Sequence, residues 1–207
     1  MNFMKDILAE IFGNASRLKI MRLFIFNRRS GLTLSEVAYR ANLSTSAARS
    51  ETNSLLRSGF IKESSVLVKK EKKGKISSVK ARGFIFNPDF PYTHPFHELL
   101  VETLPLRPEL LGKAIQKTGR VKAILASGLF VDNEDSSLDL LVIGDAINKG
   151  KIEKVIHSFE SLIGRDIRYA VLTVTDFNYR LDIYDRMVRD VLDYPHKILL
   201  NRLSVNL

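Results

Sequence analysis

The run SSLDLLVIGD, residues 136–145, sets one carboxylate, Asp139, in an otherwise apolar strand-like segment behind a polar turn. A carboxylate at the end of a strand is where metal-dependent phosphoryl-transfer chemistry holds magnesium, a hard cation that takes about six oxygen ligands. Such chemistry ordinarily draws on a second carboxylate two residues earlier, on the same strand face. Here that position is Ser137. Upstream, ASGLF ends an apolar run and offers Ser127 and Gly128, and the segment DIRYAVL carries Arg168, with Asp166 at its margin. The turn residues Asp132, Glu134 and Asp135 read first as an exposed acidic turn. One carboxylate beside an arginine is a poor cage for two dications, so this constellation reads as the remnant of a metal site. His94 and His97 have metal-ligand spacing but lie in a proline-rich stretch without a third ligand, and His157 and His196 are isolated. The chain has no cysteine and shows no Gly-rich phosphate loop or Ser/His/Asp nucleophile signature.

A second chemistry lies nearer the N-terminus. TLSE, from Thr33 to Glu36, is a capping box that opens a short helix with Leu34, Val37, Ala38 and Ala41 inward. Leu43 plugs the turn that follows, and Ser44 caps a second helix with Ala48, Thr52, Leu55 and Leu56 toward the core. Ser46, Arg49, Ser50, Asn53 and Arg57 then share one polar helical face with no acidic member, and Glu51 falls off it. Such side chains match the base-edge and phosphate acceptors of a DNA major groove. Residues 60–87 follow as two β-rich runs about the turn KKGK, with Gly74 free to take positive φ. Lys69, Lys70, Lys72, Lys73, Lys75, Lys80 and Arg82 crowd this hairpin. The candidate DNA-contacting residues are these seven together with Ser44, Thr45, Ser46, Arg49, Ser50 and Asn53.

Positioning these groups takes two small domains, which 207 residues suit. The charge divides the same way. Residues 1–90 hold 17 Lys and Arg against 7 Asp and Glu, a net of +10, while residues 91–207 hold 15 against 16. A basic half joined to a neutral one is the pattern of a nucleic-acid-binding domain with a partner domain. NPDFPYTHPF, residues 87–96, has three prolines and reads as an extended connector. The expected division is therefore 1–90 and 91–207. Before it, Ile7, Leu8, Ile11 and Phe12 form one helical stripe, and Leu18, Met21, Phe24 and Ile25 another over 15–27. After it, helices are expected near 97–106 and 108–119, strands over 121–131, 138–145 and 166–174, and helices over 148–163 and 175–193. HKILL forms a last apolar run. The class is α+β.

The helix, turn, helix and basic hairpin over residues 5–88 resemble the winged helix-turn-helix of bacterial and archaeal transcription regulators, LLRSGFIKES matching the usual link from recognition helix to wing. The later strand order, with the ASG turn and the Ser137-Leu138-Asp139 position, resembles a minimal DNA polymerase beta-like nucleotidyltransferase. That family carries Gly-Ser and Asp-x-Asp at those places, and here both are eroded. The resemblance implies an N-terminal winged helix-turn-helix domain followed by a small nucleotidyltransferase-like α/β domain, catalytically degenerate, with Ser127, Gly128, Ser137 and Asp139 as its remnant site. The expected function is sequence-specific transcriptional regulation through double-stranded DNA, with the second domain used for dimerisation or sensing. A homodimer is expected because one winged helix covers little DNA, with the N-terminal helix and residues 96–104 as its surfaces. The alternative is an active nucleotidyltransferase that uses magnesium and a nucleoside triphosphate and docks its target through the winged helix. Otherwise no cofactor or metal is expected. No apolar run is long enough to span a bilayer, and MNFMKDILAEIF carries acids within its apolar pattern, so no membrane partner and a cytoplasmic location are expected.

Overall fold

The computed structural model describes residues 6–72, 75–102, 104, 107–133 and 135–203, and side chains among these except at 69–72, 75 and 76. Lys73, Gly74 and Glu134, named above, lie outside the described residues. The chain is mixed α and β with two small sheets, one in each of two compact units. The first unit comprises Lys5–Leu104 together with Glu160–Arg165, and the second Pro105–Phe159 with Asp166–Leu207. No helix among the described residues is long and apolar enough to cross a membrane.

In the first unit, side-chain caps fix where the first four helices start. Asp6 accepts from the Leu8 N–H at 3.1 Å to open α1 (Ile7–Phe12), and Asn14 accepts from the Arg17 N–H at 2.9 Å to open α2 (Ala15–Phe26). The capping box forms as expected: Thr33 Oγ1 accepts from the Glu36 N–H at 3.3 Å, and Glu36 Oε2 accepts from the Thr33 N–H at 2.7 Å. It joins β1 (Leu32–Thr33) to α3 (Leu34–Arg40). Ser44 then caps α4 (Thr45–Arg57), accepting from Ala47 at 3.2 Å. The strands β2 (Ile61–Lys72) and β3 (Lys75–Phe86) pair antiparallel from Ile61 opposite Phe86 to Lys72 opposite Lys75, and β1 pairs with β3, giving the order β1-β3-β2.

The core of this unit is α2, buried at Leu18, Ile20, Met21, Leu23, Phe24 and Ile25, against Val37, Ala38, Ala48 and Leu55 of the next two helices. It also contains an arginine. Arg22 is buried and ion-paired with Asp6, and it donates from Nε to the Leu100 carbonyl and from Nη1 to the Leu162 carbonyl, both at 3.2 Å. Such a charge is tolerated in a core because it is paired and hydrogen-bonded. Gly164 lies against the same helix. Its φ is +79°, and a Cβ there would come within 2.5 Å of the Arg22 carbonyl carbon, so only glycine fits.

Ile7, Leu8, Ile11 and Phe12 lie on a helix as expected, with Leu8 packed on the core and Ile7, Ile11 and Phe12 exposed. One expectation needs correction here: 87–96 is not an extended connector. It turns at Asn87, whose side chain donates to the Gly59 carbonyl at 2.8 Å, and then enters α5 (Thr93–His97). Pro88 and Pro91 precede the helix, and Pro95 occupies its first turn, where a missing N–H costs no intrahelical bond. Phe90 and Phe96 pack edge-to-face on Phe60, at centroid distances of 5.2 and 6.1 Å, so apolar burial holds the segment in place.

The second unit holds a four-stranded mixed sheet in the order β6-β5-β4-β7. After α6 (Pro108–Ile115) come β4 (Arg120–Ala126) and its antiparallel partner β5 (Leu140–Asp145). The helix α7 (Lys149–Ile163) crosses over to β6 (Tyr169–Leu172), parallel to β5. The strand β4 stops at Ala126 rather than running to 131, because Gly128 takes φ +50° and residues 128–130 form a 3₁₀ turn. The helix expected over 175–193 is two, α8 (Val174–Asp182) and α9 (Arg186–Asp193). Tyr184 at φ +56° breaks it, and Asp185 caps the second piece by accepting from the Val188 N–H at 3.3 Å. The last strand, β7 (Lys197–Asn201), lies antiparallel to β4. Ala123, Leu125, Leu141 and Ile143 of the sheet pack with Phe177, Val188 and Val191 of α8 and α9.

Candidate nucleic-acid interface and a buried carboxylate cluster

The outer face of α4 carries Ser46, Arg49, Ser50, Asn53 and Arg57, all exposed, while Ala48, Thr52 and Leu55 are buried beneath. The 3.6-residue period produces this split directly. Glu51, the helix's acid, is turned away from that face. It accepts from Asn14 Nδ2 at 2.9 Å and Arg17 Nε at 2.8 Å, at the start of α2. Burial works to raise the Glu51 pKa, and these donors outweigh it and hold the carboxyl below its ordinary value. The exposed face of α4 therefore carries no negative charge. Ser44 and Thr45 sit at the helix start, exposed, with the Ser44 hydroxyl used as the cap.

Beside α4, strand β3 brings Arg82 and Phe84 alongside Leu34, Arg49, Thr52 and Asn53, which together line a cleft of about 360 Å³. Lys80 is exposed on the same strand. Lys69 pairs in register with Ser78, Lys70 with Ser77, and Lys72 with Lys75, so these lysines occupy the far half of the hairpin ladder. The sequence reading missed one residue that matters here. Glu63 on β2 forms an ion pair with Arg82 across the strands. The signal was available: Glu63 is one of two acids in a run dense with lysine, and an acid there has a cation within reach.

The second constellation lies in the other unit. Ser127, Gly128 and Asp139 do come together, between the end of β4 and the start of β5. The Ser127 N–H donates to the Asp139 carbonyl at 2.9 Å, and the Ser127 hydroxyl shares a 2.9 Å bond with Ser136. The Asp139 side chain is 1% exposed. Its Oδ1 accepts from the Leu129 N–H at 2.9 Å and Arg168 Nη2 at 2.8 Å, and its Oδ2 from the Arg168 N–H at 2.8 Å and Arg168 Nε at 3.1 Å. Four donors around two oxygens leave little room for a cation. Burial favours the neutral acid, but the Arg168 side chain, the two backbone donors and the Arg168 charge prevail, so the carboxyl is held below its usual range. The Asp139 bond in turn raises Arg168 above its ordinary value.

Gly128 is part of this closure, since a Cβ there would meet Asp139 Oδ1 at 2.3 Å and the Leu138 carbonyl oxygen at 2.9 Å. Ser137 is not brought in. It is exposed, and its N–H donates to Asp190 Oδ2 at 2.7 Å. The Ser137 hydroxyl and N–H, followed by the charges of Arg186 and Arg168, hold the Asp190 carboxyl below its ordinary value. Asp190, on α9, is 53 residues from Ser137, and no local pattern announces it.

His94 pairs with Glu98 at 3.3 Å and His97 with Glu102 at 3.6 Å. Among the described residues no group of three or more His, Asp or Glu side chains could hold a metal ion. Comparison of the chain with protein-family models, with curated proteins and with solved structures gives no match.

Proposed function

We propose that this chain is a sequence-specific DNA-binding transcriptional regulator, with a winged helix-turn-helix in its N-terminal half and a nucleotidyltransferase-like domain that no longer catalyses. The observation that carries the reading is the acid-free exposed face of α4, set beside a hairpin rich in lysine. In this reading Ser46, Arg49, Ser50 and Asn53 meet base edges, and the hairpin cations meet phosphates. The protein acts in the cytoplasm as a homodimer, and the exposed Ile7, Ile11 and Phe12 of α1 offer apolar surface for a second copy to cover.

The test is direct. Selected duplex fragments should bind the full chain at low salt, and Arg49→Ala or Asn53→Ala should each cost about 1–3 kcal/mol and blur sequence preference, read by fluorescence anisotropy. No binding at low salt overturns the proposal.

The nucleotidyltransferase activity kept as the alternative draws no support from Asp139. Its oxygens are taken by Leu129 and Arg168, and Ser137 supplies no second carboxylate. Addition of magnesium and nucleoside triphosphate should therefore leave the thermal midpoint within error, since stabilisation follows RT ln(1 + [L]/Kd). A clear magnesium-dependent shift, lost in Asp139→Ala, restores the enzyme reading.

A further inference from the structure

We infer that the cleft between α4 and β3 is the seat of a DNA backbone phosphate, and that Glu63 occupies the phosphate's place on Arg82 until DNA arrives. This rests on the DNA-binding reading and goes beyond it, assigning one residue the task of weakening the complex.

The cleft is lined by Leu34, Arg49, Thr52, Asn53, Arg82 and Phe84. Arg49, Asn53 and Arg82 all line this one concavity, and two guanidinium-bearing residues with a side-chain amide suit a phosphodiester, which accepts several donors at once and carries one negative charge. Leu34 and Phe84 form apolar walls that reduce competition from water. Across the strands Ser65 stands opposite Arg82 and Glu63 opposite Phe84, so Glu63 and Arg82 are diagonal neighbours on one sheet face. Their ion pair is exposed, with 71% of the Arg82 side chain and 56% of that of Glu63 open to solvent.

An exposed ion pair is weak, because water and salt screen it and ordering two long side chains opposes it. Such a pair holds the guanidinium near the cleft but gives it up to a stronger acceptor. DNA binding then exchanges one anion for another: the Glu63 carboxylate leaves Arg82, a phosphate oxygen replaces it, and no covalent bond changes. The cost is twofold, in the broken pair and in a carboxylate left close to phosphate. Glu63 thus lowers affinity for every sequence alike, which favours a protein that must release non-specific DNA to search for its site.

A double-mutant cycle on the full chain tests this, with a fluorescein-labelled duplex of mixed sequence as the probe. Glu63→Gln should tighten binding about 2- to 5-fold, the scale of an exposed pair. Arg82→Gln should weaken it and flatten the log–log salt slope by about 1. In the Arg82→Gln background, Glu63→Gln should gain less, because only the repulsion between carboxylate and phosphate is then relieved. Glu63→Ser is the second variant, with the same expectation, and both should keep the wild-type thermal midpoint because the site is exposed. An unchanged or weaker affinity in Glu63→Gln overturns the inference. So does a gain of equal size with Arg82 absent, which would mean that Glu63 acts only through net charge. Wild-type protein that fails to bind the duplex at low salt fails at the earlier step, and removes the DNA-binding reading together with this one.

Discussion

Asp139→Ala should lower the unfolding free energy by about 3 kcal/mol, a large part of what a small domain possesses. The carboxylate is buried, and its removal strands three groups at once: the Leu129 N–H, the Arg168 N–H and the Arg168 guanidinium. Breaking a buried pair from one side costs about 3–5 kcal/mol because the remaining charge stays desolvated. Arg168 is 43% exposed and can recover water, which places the expectation at the low end of that range. The pH dependence has a definite sign. The folded carboxyl is held below its ordinary pKa, so its contribution is fully present above about pH 4 and is lost as pH falls through the depressed folded value. Urea unfolding of the two proteins should thus differ most at neutral pH, and the gap should close in acid. Equal midpoints at neutral pH, or a gap that widens in acid, would show that Arg168 does not depend on Asp139.

The same pair shows what a sequence can and cannot reveal. Thr33 with Glu36, and Ser44, cap their helices within three residues of themselves, and local contacts of that kind are readable one at a time. The inward face of α4 follows from a period of 3.6, and the hairpin register from two β-rich runs flanking a short turn. Asp139 was legible as a carboxylate in an apolar run, and Arg168 as an intruder on the next strand. Their union across 29 residues depends on β5 and β6 lying parallel with Leu140 opposite Tyr169, which the order of elements suggests but no local pattern fixes. Asp190 and buried Arg22 are harder still, because each owes its role to a partner that tertiary packing delivers. The 87–96 segment failed for the opposite reason. Three prolines gave a strong local signal, and the burial of Phe90 and Phe96 against Phe60 outweighed it.

Raising the salt from about 50 to 200 mM should weaken duplex binding about 10³-fold, the largest effect expected of this protein. The hairpin carries Lys69, Lys70, Lys72, Lys73, Lys75, Lys80 and Arg82, against Glu63 and Glu71. At about 3.3 Å per residue, the strand from Ser65 to Lys72 is roughly 25 Å long, and that length of duplex presents about 15 phosphates on its two strands. Phosphates thus outnumber cations, and each lysine can meet one. With five to six contacts the log–log slope is near −5, and a fourfold rise in salt then costs about three orders of magnitude. Lys72→Gln and Lys75→Gln, at the register pair that ends the described ladder, should each flatten the slope by about 1 and weaken all sequences in proportion, because phosphate contacts carry no base information. A wild-type slope shallower than about −2 would take the hairpin out of the interface and leave α4 to bind alone, with an affinity too low for a regulator.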